Sequence, residues 1–270
     1  MLFRSAAGIG LLRSELFYLS QPERPTIEEE FDFYAKVLSL FKNRPVTIRL
    51  LDLGADKSLP YLGSFEEENP QLGIRGIRYL FRNRDLFHHH LKSVMRTSAM
   101  GTVRMLIPFV AMEDDVTQAL REIDAVRIQE HVDPGGLHVG IMAEVPSVAL
   151  SIGRFWRYVD FVNIGTNDLA QYLFAASRED GNVERYRQTS HPVILKLLAD
   201  CAASGKRVGK SVSVCGELAA DPEGALLLVG LGIRLLSMQP SSIPLVRKAV
   251  NESSMKDLRR MAKKALAYID

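Results

Sequence analysis

The chain has 270 residues, 47% of them hydrophobic, and 34 basic residues against 32 acidic ones leave a net charge of +2. That balance gives no electrostatic case for nucleic acid or a membrane surface, and the longest apolar runs, such as Ala225 to Gly232, are far shorter than a bilayer crossing. Two cysteines, Cys201 and Cys215, make no disulfide framework, and MLFRSAAGIG does not read as a secretion signal, so a soluble cytoplasmic setting is expected.

In chain order, short apolar runs predict strands at Ile9 to Leu12, Val46 to Leu51, Val103 to Pro108, Val139 to Ala143, Phe161 to Ile164, Val212 to Val214 and Arg234 to Met238. Helical patterns lie between them at Thr26 to Phe41, Asp85 to Met95, Glu113 to Glu130, Pro192 to Ala203, Pro222 to Val229 and Ser241 to Asn251. A polar helix from Met255 to Ala267 follows. Prolines or acids in first turns, as at Pro192, Pro222 and Glu113 to Asp115, mark helix starts. Such alternation implies parallel strands with right-handed crossovers, in either an open doubly wound sheet or a barrel.

No strand is followed by a dinucleotide fingerprint or a P-loop, so the expected fold is an α/β TIM (β/α)8-type barrel over residues 1–270. Seven strands are predicted where a closed barrel needs eight, so the first strand and its helix are expected to be missing upstream. Unpaired edges would then favour aggregation, and a chain extended upstream by about forty residues is expected to be more soluble. The excursion from Leu59 to Arg78 is expected to cover the barrel mouth.

In a barrel of this kind, function collects at the carboxyl ends of the strands. There the sequence places Arg13 and Glu15, then Arg49, Asp52 and Lys57, then Glu144, then Asn167 and Asp168, then Cys215 and Glu217. Arg75, Arg78 and Arg178 reach the same face. Recurrent arginines suit a small, multiply charged anion, and they would repel one another unless an anion or carboxylates stood among them. Two carboxylates without a nearby histidine, Glu144 and Asp168, suit Mg²⁺ rather than zinc.

Within DFVNIGTNDLAQY, Gly165 halts an apolar run and Thr166, Asn167 and Asp168 open a helix. The local sequence leaves a helix cap and a ligand site both open. Cys215 is by default a small buried hydrophobe, although its place at a strand end before a helix favours proton-transfer work. His88, His89 and His90 are expected on a partly solvated helix surface, and His191 before Pro192 as a cap or turn residue.

GIGLLRSELFY, VTIRLLDLGADKSLPY, EENPQLGIRGIRY, VRMLIPF, GIMAEVPSVA, DFVNIGTNDLAQY, VCGELAADP and LLSMQPSSIP follow in the order found in the phosphoenolpyruvate-utilising enzymes. The chain resembles their carboxyl-terminal barrel, closest to enzyme I of the sugar phosphotransferase system. The resemblance implies phosphoenolpyruvate and Mg²⁺ as ligands. It also implies transfer of the phosphoryl group to a histidine on a separate domain, release of pyruvate, relay to a small phosphocarrier protein, and a homodimer. On its motifs, Arg13, Arg49, Arg75 and Arg178 hold phosphate and neighbouring oxygens, Asn167 contacts substrate, Glu144 and Asp168 ligate Mg²⁺, and Cys215 protonates the enolate carbon.

This chain departs from the pattern at Asn163, Leu50, Ala55, Val145 and Ser177. Ser177 bears most on the site, because a carboxylate there would orient Arg178. With the phosphohistidine and carrier-binding domains absent, the isolated chain is expected not to complete phosphotransfer. Alternative readings are a phosphoenolpyruvate- or pyruvate-sensing module without catalysis, and a domain of a dikinase-type enzyme such as phosphoenolpyruvate synthase.

Overall fold

A computed structural model describes residues 6–42, 44–54, 59, 61, 67–132 and 137–267. Ala55, Lys57 and residues 60 and 62–66 of the 59–78 excursion fall outside them. The chain divides into two compact units, Ala7–Ile141 and Met142–Asp270 with Met1–Ala6.

In the first unit, β1 (Ile9–Arg13), β2 (Val46–Arg49), β3 (Val103–Ile107) and β4 (Leu137–Ala143, whose last two residues fall in the second unit) pair in parallel in chain order. The β1–β2 register brings Arg13 opposite Arg49. Between the strands lie α1 (Ser14–Leu19), α2 (Ile27–Leu40), α3 (Ile77–Arg82), α4 (Arg84–Ser98) and α5 (Glu113–Gln129). Every residue of β2 is buried, as expected for a parallel strand covered on both faces, and Ile48, Phe87, Leu91 and Leu106 are fully enclosed.

The start of α2 is set locally. Thr26 accepts from Glu29 N while the Glu29 carboxylate accepts from Thr26 N, a reciprocal capping box. Removing it in Thr26→Ala is expected to lower the unfolding free energy by about 1 kcal/mol, read from a urea titration.

One expectation is overturned in this unit. His90 is not on a solvated surface: it is fully buried, with Nδ1 2.5 Å from Glu30 Oε1. Glu30, itself fully buried, also accepts from Tyr18 Oη at 2.9 Å and Tyr34 Oη at 2.8 Å. A carboxylate on α2 thus supplies the partner that lets a histidine of α4 leave water. His88 lies beside Glu122, 2.6 Å away, and remains partly exposed.

The second unit carries α6 (Pro146–Leu150), β5 (Phe161–Gly165), α7 (Thr166–Leu173), α8 (Pro192–Arg207), β6 (Ser211–Cys215), α9 (Glu217–Ala220), α10 (Pro222–Gly230), β7 (Leu235–Ser237), α11 (Ile243–Asn251) and α12 (Met255–Leu266). β5, β6 and β7 are parallel neighbours, with Gly165 opposite Cys215. Val162, Ile164, Val214, Leu198 and Leu228 form its enclosed core. His191 caps α8 as expected, its Nδ1 accepting from Val193 N.

Among the described residues the strand order β1-β2-β3-β4-β5-β6-β7 is that of a TIM (β/α)8-type fold with one strand fewer than eight. All seven predicted strands are present, with ends shifted by one or two residues. The helices α1, α3 and α6, each six residues or shorter, were not among the predicted segments; they are too short to show a helical hydrophobic period, whereas the helix expected after Cys215 is present as α9.

Candidate functional site

In the first unit, β2 ends in an alternating chain of buried charges. Arg49 pairs with Glu15 through Nη2 and with Asp52 Oδ2 at 3.2 Å. Asp52 in turn meets Arg75, Oδ2 to Nη2 at 3.1 Å and Oδ1 to Nε at 3.4 Å. All four side chains are at most 4% exposed. The backbone beneath them is held as well, since Ser14 Oγ donates to Arg49 O at 2.6 Å.

Carboxylates therefore stand between the arginines and offset their repulsion. Glu15 and Asp52 accept from the edges of the guanidinium forks, a role the sequence did not assign to them. Arg13, the last residue of β1, is exposed.

Arg75 follows a compact turn. Pro70–Leu72 form a single 3₁₀ turn, and the Glu67 carboxylate accepts from Ile74 N at 3.0 Å. Gln71 Oε1 accepts from Arg75 Nη1 at 3.1 Å. Arg78 does not extend the anion set: its Nη1 donates to Leu72 O and Gly73 O, tying down the turn.

In the second unit, Glu144 follows β4 and is fully buried. The backbone at Gly165 has φ −88°, which any residue adopts. Glycine is needed there for space, because a Cβ would lie 3.1 Å from both Cβ and Oε2 of Glu144 and 2.9 Å from Met142 Cε. Gly165 is also the N-cap of α7, and no side chain caps that helix.

Neither Asn167 nor Asp168 therefore occupies the N-cap position of α7. Asn167 Oδ1 reaches across to Glu217 N at 3.3 Å, and Asp168 Oδ1 lies 3.5 Å from Arg178 Nη1. Arg178 is further placed by its own N–H donating to Gln171 Oε1 at 2.8 Å and by Arg187 Nη1 donating to its carbonyl. Ser177 Oγ accepts from Glu179 N.

Cys215 ends β6, is 4% exposed, and its Sγ lies 3.6 Å from Ile164 O. The next residue is Gly216 at φ +112°, where a Cβ would meet Thr166 Oγ1 and Asn167 Oδ1. Glycine thus lets the β5 and β6 loops close on each other beside the thiol. Cys201, the other free cysteine, is a core residue whose thiol is pushed up to about 12 by burial and by Asp200.

Among the described residues no group of three or more His, Cys, Asp or Glu is placed to hold a metal ion. Glu144 and Asp168 are the two buried carboxylates of the second unit's strand ends, 0% and 7% exposed. Two hard oxygen donors of this kind fit a cation that completes its shell with water and substrate oxygens, as Mg²⁺ does, and do not fit zinc.

Buried arginines and carboxylates thus lie at the strand ends of a TIM-type fold. The chain belongs to a family described as PEP-utilising enzyme, PEP-binding domain, whose profile matches residues 2–255. It is 37% identical over 262 residues to a multiphosphoryl transfer protein of Rhodobacter capsulatus, covering 97% of this chain and 31% of that protein. It is likewise 37% identical over 270 residues to phosphoenolpyruvate-protein phosphotransferases of Bacillus sp. (strain S) and Geobacillus stearothermophilus, covering 98% of this chain and 47% of each. The chain thus spans less than half the length of these curated relatives. A solved structure of Haloferax volcanii malate synthase in a magnesium and glyoxylate complex shares the fold, with TM-score 0.57 at 13% identity over 86% of this chain and 66% of that one. No described helix is long and apolar enough to cross a membrane.

Proposed function

We propose that this chain is the phosphoenolpyruvate-binding catalytic domain of a phosphoenolpyruvate-protein phosphotransferase. The phosphoryl group passes to a histidine on a separate domain and then to a small phosphocarrier protein, and pyruvate is released in the cytoplasm. The observation that carries the reading is the 37% identity along nearly the whole chain to phosphotransferases of that name. The buried arginine and carboxylate arrays support it. A homodimer belongs to the same reading.

In this reading Arg13, Arg49, Arg75 and Arg178 bind the phosphate and neighbouring oxygens, and Asn167 contacts the substrate. Planar forks held by Glu15, Asp52 and Asp168 meet an anion with little further loss of side-chain freedom. Glu144 and Asp168 are the residues that would hold Mg²⁺, which when bound neutralises negative charge on phosphoryl and enolate oxygens.

The phosphorus–oxygen bond breaks as the histidine nitrogen bonds to phosphorus, leaving the enolate of pyruvate. The Cys215 thiol then gives its proton to the methylene carbon, which becomes the methyl group, and sulfur is left as thiolate. Its low exposure keeps bulk water from competing for that position.

The test is Mg²⁺-dependent exchange of pyruvate methyl protons with deuterated solvent, which needs no phosphoryl acceptor. Cys215→Ala is expected to slow exchange by about 100-fold or more. Exchange at the parent rate would remove Cys215 from this role.

A further inference from the structure

Phe109 stands two residues beyond β3, is 2% exposed, and has φ +55°, a conformation costly for a bulky side chain. Its ring meets two cations. Arg75 Cζ lies 4.6 Å from the ring centroid and Arg78 Cζ 4.8 Å from it. Gly76, between the two arginines, makes the approach feasible, since a Cβ there would come within 2.5 Å of Phe109 Cβ and 3.3 Å of Asp52 Oδ1.

The two cations differ in their other contacts. Arg78 is bound to the carbonyls of Leu72 and Gly73. Arg75 has its guanidinium edges on Asp52 and Gln71. An aromatic ring beside the guanidinium adds a contact that bears on its tilt.

We infer that Phe109 is a positioning residue for anion binding: its ring fixes the tilt of the Arg75 guanidinium, and Arg78, stacked on the same ring and latched to the 70–73 turn, keeps the ring in place. The inference rests on the reading of Arg75 as a phosphate-binding group for its functional consequence, and on geometry alone for its structural one.

Two measurements on the whole chain separate these. The first is the ¹⁵N order parameter of Arg75 Nε–H in the parent, Phe109→Leu and Phe109→Tyr. Phe109→Leu is expected to lower it and Phe109→Tyr to restore it, while an unchanged value in Phe109→Leu overturns the inference. The second is calorimetric affinity, with Mg²⁺, for phosphoenolpyruvate and for pyruvate, which lacks the phosphate. Phe109→Leu is expected to weaken phosphoenolpyruvate binding about tenfold, equivalent to 1.4 kcal/mol, and to leave pyruvate binding within twofold.

Equal weakening of both ligands would reveal a merely structural role and overturn the inference. The same change made in an Arg75→Ala background is expected to have no further effect on phosphoenolpyruvate, and a full tenfold additional loss there would also overturn it. If Arg75→Ala itself leaves phosphoenolpyruvate affinity unchanged, the anion-binding reading fails, and the order-parameter result still decides the role of the ring.

Discussion

Asp52→Ala is expected to destabilise the protein by roughly 3–5 kcal/mol, the usual cost of removing one partner from a buried ion pair. Asp52 sits between Arg49 and Arg75, each within 3.2 Å of its Oδ2, at 2% side-chain exposure. Its loss leaves two buried guanidinium groups without the anion they share. The low dielectric that makes the array strong when complete makes the deficit expensive.

Asp52→Asn keeps the shape and one acceptor oxygen, and is expected to lose less. The check is guanidinium denaturation followed by far-ultraviolet circular dichroism, with phosphoenolpyruvate affinity measured alongside. Both quantities are expected to fall, because the same carboxylate holds the arginines in place. An unchanged denaturation midpoint in Asp52→Ala would refute this account of the array.

The second large effect is expected at Glu30, where three buried donors converge. Glu30→Ala strands Tyr18 Oη, Tyr34 Oη and His90 Nδ1 without their acceptor, at a cost again of roughly 3–5 kcal/mol. The cluster also makes an alkaline prediction. Burial first, and then the Glu30 charge, push Tyr18 and Tyr34 well above the ordinary tyrosine value of 10.0.

Below that value both rings are neutral in the folded and unfolded states, and the two tyrosines add no pH dependence. Above it the unfolded chain releases protons that the folded chain retains, so stability falls as pH rises. Each tyrosine contributes a slope of about 1.4 kcal/mol per pH unit. Tyr18→Phe is expected to remove about 1 kcal/mol from the fall in stability between pH 10 and 11, where the unfolded tyrosine passes from half to mostly ionised. A slope equal to the parent's would show that Tyr18 ionises as readily in the fold as outside it.

Much of this protein is legible along the chain. Strand positions follow from apolar runs punctuated by polar turns, and a parallel fold that delivers side chains at strand ends makes Arg49, Glu144, Asn167, Asp168 and Cys215 site candidates before any coordinate is known. Phe109 carries no such signal. It belongs to an apolar run, VRMLIPF, and the two arginines its ring meets, Arg75 and Arg78, are more than thirty positions away. His90 was misplaced for a similar reason: helical spacing shows which residues share a face, and only packing against α2 shows that this face meets a buried carboxylate.

The stretch DFVNIGTNDLAQY shows where the division falls. The sequence by itself determined a buried strand, a stop at Gly165 and a helix beginning at Thr166, because hydrophobic period and local backbone preference act over a few residues. Only the tertiary structure decided why Gly165 is glycine and what Asn167 and Asp168 do. The Glu144 side chain occupies the space of the missing Cβ, and the partners of Asn167 and Asp168 come from Glu217 and Arg178. Local sequence specifies torsion angles and polarity, whereas the partner of a buried charge is set by chain segments that meet only on folding.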